Sequence, residues 1–424
     1  MKYLIIGNCA AGISAAEALR ANDKTGEITI ISSENVPAYG RPLISYFLSG
    51  KVKAENMLYR EDSFYKSRKI EVLLNTKAQK INAAQKEVLT EDGRVLNYDK
   101  LLIASGSIPF VPPIKNLCGQ KNVFSFLTYE DAKRIKESIN KDSRVVIAGA
   151  GLIGLKAAEG LFGKVGKITV VDLADRVMAS VLDKPSADII QNHIARNDIE
   201  FILNTSIAEI EGENMAGKVL LSDGQTLECD ILIIAVGVRP NIAVAKEAGL
   251  KINKGIVVDR YMNTSAADIY AAGDCVESFD LISNEYKILA LWPNAANQGE
   301  IAGCNMAGLK QKSPAFFAMN AISFFGMQLI SAGYICENDY NYSFSDLTPQ
   351  ESKARRLNIQ DDRLIGFLLI NDFQRAGIYT DLINNKTKLS ELEYDIRAKD
   401  IGLGIYPENV RKGKIWGTPK EEDL

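Results

Sequence analysis

The chain is 424 residues long and 46% hydrophobic, enough for more than one core and, at ~100–200 residues each, for roughly two to four domains. Acidic and basic residues nearly cancel, 53 against 50, so no global basic field exists to hold a nucleic acid backbone or an anionic membrane surface. His193 is the only histidine and the six cysteines (Cys9, Cys118, Cys229, Cys275, Cys304, Cys336) contain no C-x-x-C pair, which argues against His-based triads, zinc or other metal sites and a disulfide framework.

From the N-terminus, the apolar run of "MKYLII" stops at glycine and asparagine, short of the ~7–15 residues of a signal h-region, and reads as a buried strand. No apolar run approaches the ~18 residues of a membrane span, so a cytoplasmic protein is expected. The stretch "IIGNCAAGIS" has the spacing of a dinucleotide-binding turn, Gly7, Cys9, Gly12, but with cysteine where the backbone should approach a pyrophosphate. On this stretch alone a damaged fingerprint, a redox cysteine and a working nucleotide site all stay open. "YLIIGNCAAGISAAEALR" predicts a strand entering an alanine-rich helix, and "EITIIS" a second strand, after which "ISSEN" offers Ser32, Ser33 and Glu34.

Further on, "YDKLLIASGSIPFVPP" predicts a buried strand ending in Ala104-Ser105-Gly106 and then a proline-rich crossover. "RVVIAGAGLIGLKAAEGLF" repeats the glycine turn intact with Gly149, Gly151 and Gly154, and "KITVVD" ends its next strand on Asp172. An acid at about that spacing, ~20 residues on, accepts ribose hydroxyls. The alternative is a plain turn between packed elements; strand, helix, second strand and terminal acid in register favour the nucleotide site. A carboxylate there repels a 2′-phosphate, so NADH is expected over NADPH.

"CDILIIAVGVRPN" repeats the strand, small-residue turn and proline exit, and "DIYAAGDCVE" sets Asp274 after Gly273 at a strand end. "LWPNAANQGEIAGCNMAG" runs from a proline turn into an alanine-rich helix that by itself reads as an amphipathic core helix. From about residue 313 the glycine turns stop. The aromatic strands "ISFFGMQLISAGYI" and "RLIGFLLI", followed by the helical "GIYTDLINN", predict a separate C-terminal α+β domain.

The N-terminal G-x-x-x-A-G turn, "LLIASGS", "GAGLIG", "AVGVRPN" and "IYAAGDC", in that order, resemble the flavoproteins of the pyridine nucleotide-disulfide oxidoreductase superfamily over essentially the whole chain. The resemblance implies an α/β fold with two Rossmann-like dinucleotide-binding domains, as in glutathione reductase, plus the C-terminal α+β domain. FAD would bind to residues 1–112 and 239–312 and NAD(H) to residues 113–238, with residues 313–424 as an interface domain and the nicotinamide stacked on the flavin.

Carried over by that resemblance, Gly7, Cys9, Ala11 and Gly12 line the FAD pyrophosphate at a helix N-terminus. Cys9 is then a tolerated small residue, since related flavoproteins often lack the middle glycine. Asp274 would hold the ribityl chain or pyrophosphate. Glu34 is favoured for the adenosine ribose, an ordinary solvated loop glutamate being the other reading. Ala78, Ala104, Ser105, Gly106, Gly237 and Gly273 are further cofactor-binding positions, and Gly149, Gly151, Leu152, Ile153, Gly154 and Asp172 belong to the NAD(H) turn. The helix after Trp292 would point its N-terminus at the flavin pyrimidine, with Asn294 and Asn297 near that edge.

Disulfide reductases and NADH oxidases of this type carry a redox cysteine after the second strand. In "PAYGRPLISYFLSG" Pro42 takes that position, and none of the six cysteines lies in the segment. It is similar instead to the Y-x-R-P-x-x-S segment of NADH:rubredoxin reductases, oxygenase-type ferredoxin reductases, the flavin domain of assimilatory nitrite reductase and flavoproteins encoded beside carbon monoxide dehydrogenase. Arg41 and Pro42 would then approach the isoalloxazine ring, Arg41 stabilising reduced flavin, with a surface ion pair as the other reading. Two positions depart from ferredoxin reductases: Tyr46 stands in place of a lysine and Lys156 in place of a glutamate. Lys156 could contact the flavin or the dihydronicotinamide, or snorkel from its helix.

The resulting expectation is an FAD-dependent NADH oxidoreductase that passes electrons, in either direction, to or from a small iron-sulfur carrier of the rubredoxin or ferredoxin kind. An NADH oxidase or diaphorase and a flavin/NADH redox sensor are the alternatives. Monomer and homodimer both stay open.

Overall fold

The computed structural model describes residues 1–335, 340–398 and 400–416. They fall into two units, Met1–Leu173 with Ile199–Phe316, and Ala174–Asp198 with Phe317–Leu424.

The first unit is built from one device used twice. The strands Lys2–Ile6, Glu27–Ile31, Ile70–Leu73, Lys100–Ile103 and Ile269–Ala271 form a parallel sheet in the order Ile269–Ala271, Lys100–Ile103, Lys2–Ile6, Glu27–Ile31, Ile70–Leu73. A second parallel sheet runs Ile199–Ile202, Lys167–Val171, Arg144–Ala148, Ile231–Ile234, Val123–Ser125. In both, the leading strands are nearly unbroken apolar runs, "KYLII" and "RVVIA", as expected of strands covered on both faces. The helices Ala10–Asn22 and Leu152–Leu161 follow those strands, as the alternating strand and helix pattern predicts.

Each sheet also has a three-stranded antiparallel meander, Ala78–Asn82 with Glu87–Thr90 and Val95–Asn97, and Ile207–Glu211 with Lys218–Leu221 and Thr226–Glu228. The two proline exits meet: Ser107–Pro109 pairs antiparallel with Val238–Pro240. This ribbon is where the chain passes between the two sheets.

In the second unit five antiparallel strands lie in the order Met319–Phe324, Met327–Gly333, Arg363–Ile370, Lys353–Gln360, Tyr342–Thr348. The first hairpin turns through Phe325-Gly326, both with positive φ, the two-residue turn whose twist matches its strands. The Ala376–Asn384 helix buries Tyr379 against Phe367, ring centroids 5.4 Å apart. The Lys184–Ala195 helix belongs to this unit although its sequence interrupts the second parallel sheet. Asp183 at its start forms a buried ion pair with Arg356 of the Lys353–Gln360 strand, and Arg356 also donates to the Tyr340 hydroxyl, 2.6 Å.

Candidate functional site

The two glycine turns are superposable in their construction. Gly7 has φ 120° and Gly149 φ 108°, and each donates its N–H across to the end of the neighbouring strand, Gly7 to Ile31 O at 2.9 Å and Gly149 to Val171 O at 2.8 Å. Gly12 and Gly154 let the helix approach the turn: a Cβ on either would stand 1.9 Å from the carbonyl oxygen of Gly7 or Gly149. The middle position differs. Cys9 and Gly151 are both extended N-cap residues of the helices that follow, and a Cβ on Gly151 would meet nothing within 4 Å. A side chain is therefore sterically admissible at that position, and the half-buried Cys9 occupies it without strain.

A cleft of about 400 Å³ opens in front of the first turn. Of the residues expected to hold a cofactor, Gly7, Cys9, Ala11, Glu34, Arg41, Ala78, Ala104, Ser105, Gly106, Gly273 and Asp274 line it, and Trp292 closes one side. Gly12 stands behind the turn, and exposed Pro42 follows Arg41 at the cleft wall without lining it. Asn294 is buried and donates weakly to Leu289 O at 3.4 Å, whereas Asn297 is exposed. From the same helix the cleft is instead braced by Gln298, which is buried, accepts from the Gly273 N–H at 2.8 Å and donates to Ser278.

Arg41 is held in place by two elements. Its guanidinium donates to Glu34 at 2.6 Å and to the carbonyl of Leu127 at 3.0 Å, and stacks over the Tyr39 ring at 5.5 Å. Glu34 also accepts from the Tyr39 hydroxyl at 2.7 Å, which in turn accepts from the Tyr129 N–H. Burial pushes the Tyr39 phenol up. Burial also pushes the Asp274 carboxyl up, opposed by the Ser107 hydroxyl and by the charge of Arg41. The cleft thus holds a half-buried acid within electrostatic reach of a fixed cation.

Three contributors were not singled out by sequence. Asn8 lines the cleft, accepts from the Tyr65 hydroxyl at 2.9 Å, and keeps its Nδ2 buried with no partner among the described residues. Ser107 reaches Asp274 at 3.3 Å, and Asn241 joins the cleft through its carbonyl, which accepts from Ser105 Oγ at 2.7 Å. Asn8 sits in the turn motif itself, so its position was the available signal; the other two depend on the pairing of the proline exits. The unpaired Asn8 amide, the paired glycine turns and the helix N-terminus behind Cys9 fit a bound dinucleotide, whose diphosphate supplies acceptors and negative charge.

At the second turn Asp172 accepts from the Ala150 N–H at 2.5 Å, and Leu173 beside it is 72% exposed. Leu152 and Ile153 open the helix behind Gly151, and Gly237 lies in the loop before the Val238–Pro240 strand. Lys156 lies over the Tyr46 ring at 4.7 Å and is ion-paired with Glu159 one turn along its own helix, largely shielded from solvent. The two departing positions are therefore neighbours, and the acid that balances the lysine is supplied from the same helix. Of the six cysteines, Cys336 lies outside the described residues; Cys229, Cys275 and Cys304 are buried, Cys118 exposed and Cys9 half-buried. No helix among the described residues is long and apolar enough to cross a membrane.

The pyridine nucleotide-disulphide oxidoreductase profile matches residues 1–299, and that of the rubredoxin NAD+ reductase C-terminal domain residues 319–387. The chain is 35% identical to an NADH oxidase of Methanocaldococcus jannaschii over 74% of its own length and 71% of the relative's. It is 30% identical to a rubredoxin-NAD(+) reductase of Pseudomonas putida, covering 89% and 97%. A covalent putidaredoxin reductase-putidaredoxin complex superposes with a TM-score of 0.85 at 25% identity, covering 92% and 94% of the two chains. The chain spans 48% of a Bacillus subtilis nitrite reductase [NAD(P)H] that it also resembles. With these matches on a pair of glycine turns and an acid-bearing cleft, the chain is an FAD- and NAD(H)-dependent oxidoreductase and belongs to the pyridine nucleotide-disulphide oxidoreductase family.

Proposed function

We propose that this protein moves electrons between NADH and a small one-electron iron-sulfur carrier protein, through FAD held in the cleft. The observation that carries the reading is the Arg41-Pro42 turn. It puts a cation on the cleft wall, and by the resemblance its proline takes the position of the cysteine in thiol-exchanging flavoproteins. The rubredoxin reductase type of C-terminal domain supports it.

Bound FAD would supply the chemistry, taking a hydride from NADH and giving up electrons singly. The chain's residues bind, orient and set charge. Gly7, Cys9, Ala11 and Gly12 would seat the FAD diphosphate on the dipole of the Ala10–Asn22 helix, with Asn8 donating its unused amide hydrogen. Ala104, Ser105, Gly106, Gly273 and Asp274 would form the opposite wall, Asp274 accepting from ligand hydroxyls. Glu34 would serve the adenosine ribose while it anchors Arg41. Arg41 would then oppose negative charge as it builds on the ring, in a site where shielding from water strengthens the interaction. Gly149, Gly151, Leu152, Ile153, Gly154 and Asp172 would hold NAD(H). No side-chain acid or base is required for hydride transfer, so positioning accounts for most of the protein's share.

We assign FAD to residues 1–112 and 239–312, NAD(H) to residues 113–238, and a carrier-facing or subunit-facing role to residues 313–424. Reduction of oxygen is the second reading, favoured by the 35% identity to an NADH oxidase. The test is to mix the protein with NADH, a rubredoxin or a ferredoxin, and air, and to follow carrier reduction and oxygen consumption together. Carrier reduction outpacing oxygen consumption supports the proposal; rapid oxygen consumption with no carrier reduced overturns it.

A further inference from the structure

Three lysines surround the C-terminal end of the Ile44–Ser49 helix, and a fourth, Lys141, lies against the residue before one of them. Lys136 Nζ lies 4.5 Å from the Phe47 ring centroid and Lys51 Nζ 6.0 Å from that of Tyr46. A Cβ on Gly50 would stand 3.6 Å from Lys164 Nζ, and Lys141 donates to the carbonyl of Gly163, the residue before Lys164. Neighbouring lysines are neutralised, Lys53 by Glu55, Lys156 by Glu159 and Lys167 by Glu200. Among the described residues no carboxylate forms an ion pair with any of the four, Glu137 and Asp142 of the same stretch included. The chain as a whole carries a formal charge of −3, so this facet is a local concentration of positive charge rather than part of a basic protein. Beside it Phe162, the residue that ends the Leu152–Leu161 helix, is 47% exposed.

Uncompensated lysines attract an acidic protein at long range, and the aromatic side chain beside them offers an apolar contact once it has docked. The four ammonium groups of this facet come from three separate segments, which suits an extended acidic surface better than a single phosphate. It also adjoins the cleft. The helix it surrounds starts three residues after Arg41, and at 1.5 Å per residue its six residues rise only about 9 Å. We infer that this facet, formed by Lys51, Lys136, Lys141, Lys164 and Phe162, is the docking surface for the electron carrier, and that the carrier presents an acidic patch to it. The inference rests on the function proposed above. Lysines whose charge no carboxylate neutralises raise the association rate of an acidic protein by long-range attraction, an effect that salt removes.

The test uses full-length, FAD-loaded protein with NADH and a rubredoxin or a [2Fe–2S] ferredoxin over a salt series, and menadione as a small neutral acceptor. The triple variant Lys136→Glu, Lys141→Glu, Lys164→Glu should raise the carrier KM roughly tenfold or more at low salt, and the difference should shrink as salt is added. Its menadione rate should stay within about twofold, and Phe162→Ala should raise the carrier KM with no change in salt dependence. A control triple with the same charge change on exposed lysines elsewhere, Lys80→Glu, Lys251→Glu, Lys254→Glu, should leave the carrier KM within about twofold. An unchanged KM in the facet triple, or equal rises in both triples, overturns the inference and leaves the function standing. Dissociation of a dimer by the facet triple also overturns it, assigning the facet to a second copy of this chain. If the unmodified protein reduces no carrier, the function itself falls and the inference with it.

Discussion

Asp172 and Ser32 occupy the same place at the ends of corresponding strands. Asp172 donates its N–H to Ile202 O and its carbonyl accepts from Thr205, while Ser32 donates to Leu73 O and accepts from Thr76. Only the second site therefore has its acid at the strand end; in the first, Glu34 reaches the cleft two residues later and is shared with Arg41 and Tyr39. This asymmetry makes Asp172 the cleaner reporter of nucleotide choice. NADH should be used with a far better kcat/KM than NADPH, and Asp172→Ala should lower the NADH value roughly 10–100-fold, the loss of about 1.5–3 kcal/mol of hydrogen bonding to a charged group. Equal use of both nucleotides by the unmodified protein would contradict that role. Asp274 gives a second residue-level expectation. Burial raises its folded pKa above the ordinary aspartate value of 3.8, so the fold holds the proton more tightly than the unfolded chain does. Whatever stability the group contributes is complete below about pH 3.8 and is lost as pH rises through the folded value; at neutral pH the ionised carboxylate is a net cost in FAD-free protein. Asp274→Asn should raise the thermal midpoint of FAD-free protein at pH 7 but not near pH 3.5, while weakening FAD binding roughly tenfold or more. A lower midpoint at pH 7 would mean that the carboxylate is structural.

The repeated elements separate what a sequence states locally from what only pairing reveals. Both glycine turns were legible because a strand, three close positions and a helix lie within about 20 consecutive residues. The meanders were not singled out, although Asp92-Gly93 and Asp223-Gly224 stand at equivalent hairpin turns with both glycines at positive φ; Asp-Gly is a hairpin signal in its own right. The pairing of Ser107–Pro109 with Val238–Pro240, the bracing of Gly273 by Gln298 and the linking of Asp183 to Arg356 join residues tens to more than a hundred positions apart, which no local period encodes. The turn itself can be tested by contrast. Gly12→Ala places a Cβ 1.9 Å from Gly7 O; backbone must move, at a cost of about 1–3 kcal/mol or more, and FAD content should fall. Cys9→Gly exchanges one extended N-cap residue for another and should cost within about 1 kcal/mol with FAD retained. Comparable losses in melting temperature and FAD content for both would refute this account of the turn. In the second unit Asp183→Asn removes the acid facing a buried guanidinium. Breaking such a pair costs about 3–5 kcal/mol, which urea unfolding and proteolysis of the Ala174–Asp198 segment should register; a wild-type midpoint would show that the Tyr340 hydroxyl and Asn358 Oδ1, which accepts from Arg356 Nε at 3.2 Å, suffice to hold Arg356.

At the scale of the whole molecule, the distribution of sulfur decides how many electrons the protein stores. A disulfide beside the flavin would need two thiols within reach of each other, one of them able to ionise near neutral pH. Cys9 is the one cysteine lining the cleft among the described residues. Burial pushes the Cys275 thiol up to about 11 and the Cys229 thiol up to about 12, so neither supplies a thiolate at pH 7. Pro42, which the proposed function sets at the place of a redox cysteine, makes no thiolate at all. The FAD-loaded protein should therefore take up two electrons per flavin in an anaerobic dithionite titration, and reduction should produce no long-wavelength thiolate-to-flavin band. Alkylation with iodoacetamide should leave NADH-to-menadione activity largely intact, because no step of hydride transfer passes through sulfur. A titration that consumes four electrons per flavin, or activity that falls in step with thiol modification, would place a redox-active cysteine at the flavin and return the protein to the disulfide-exchanging branch of its family.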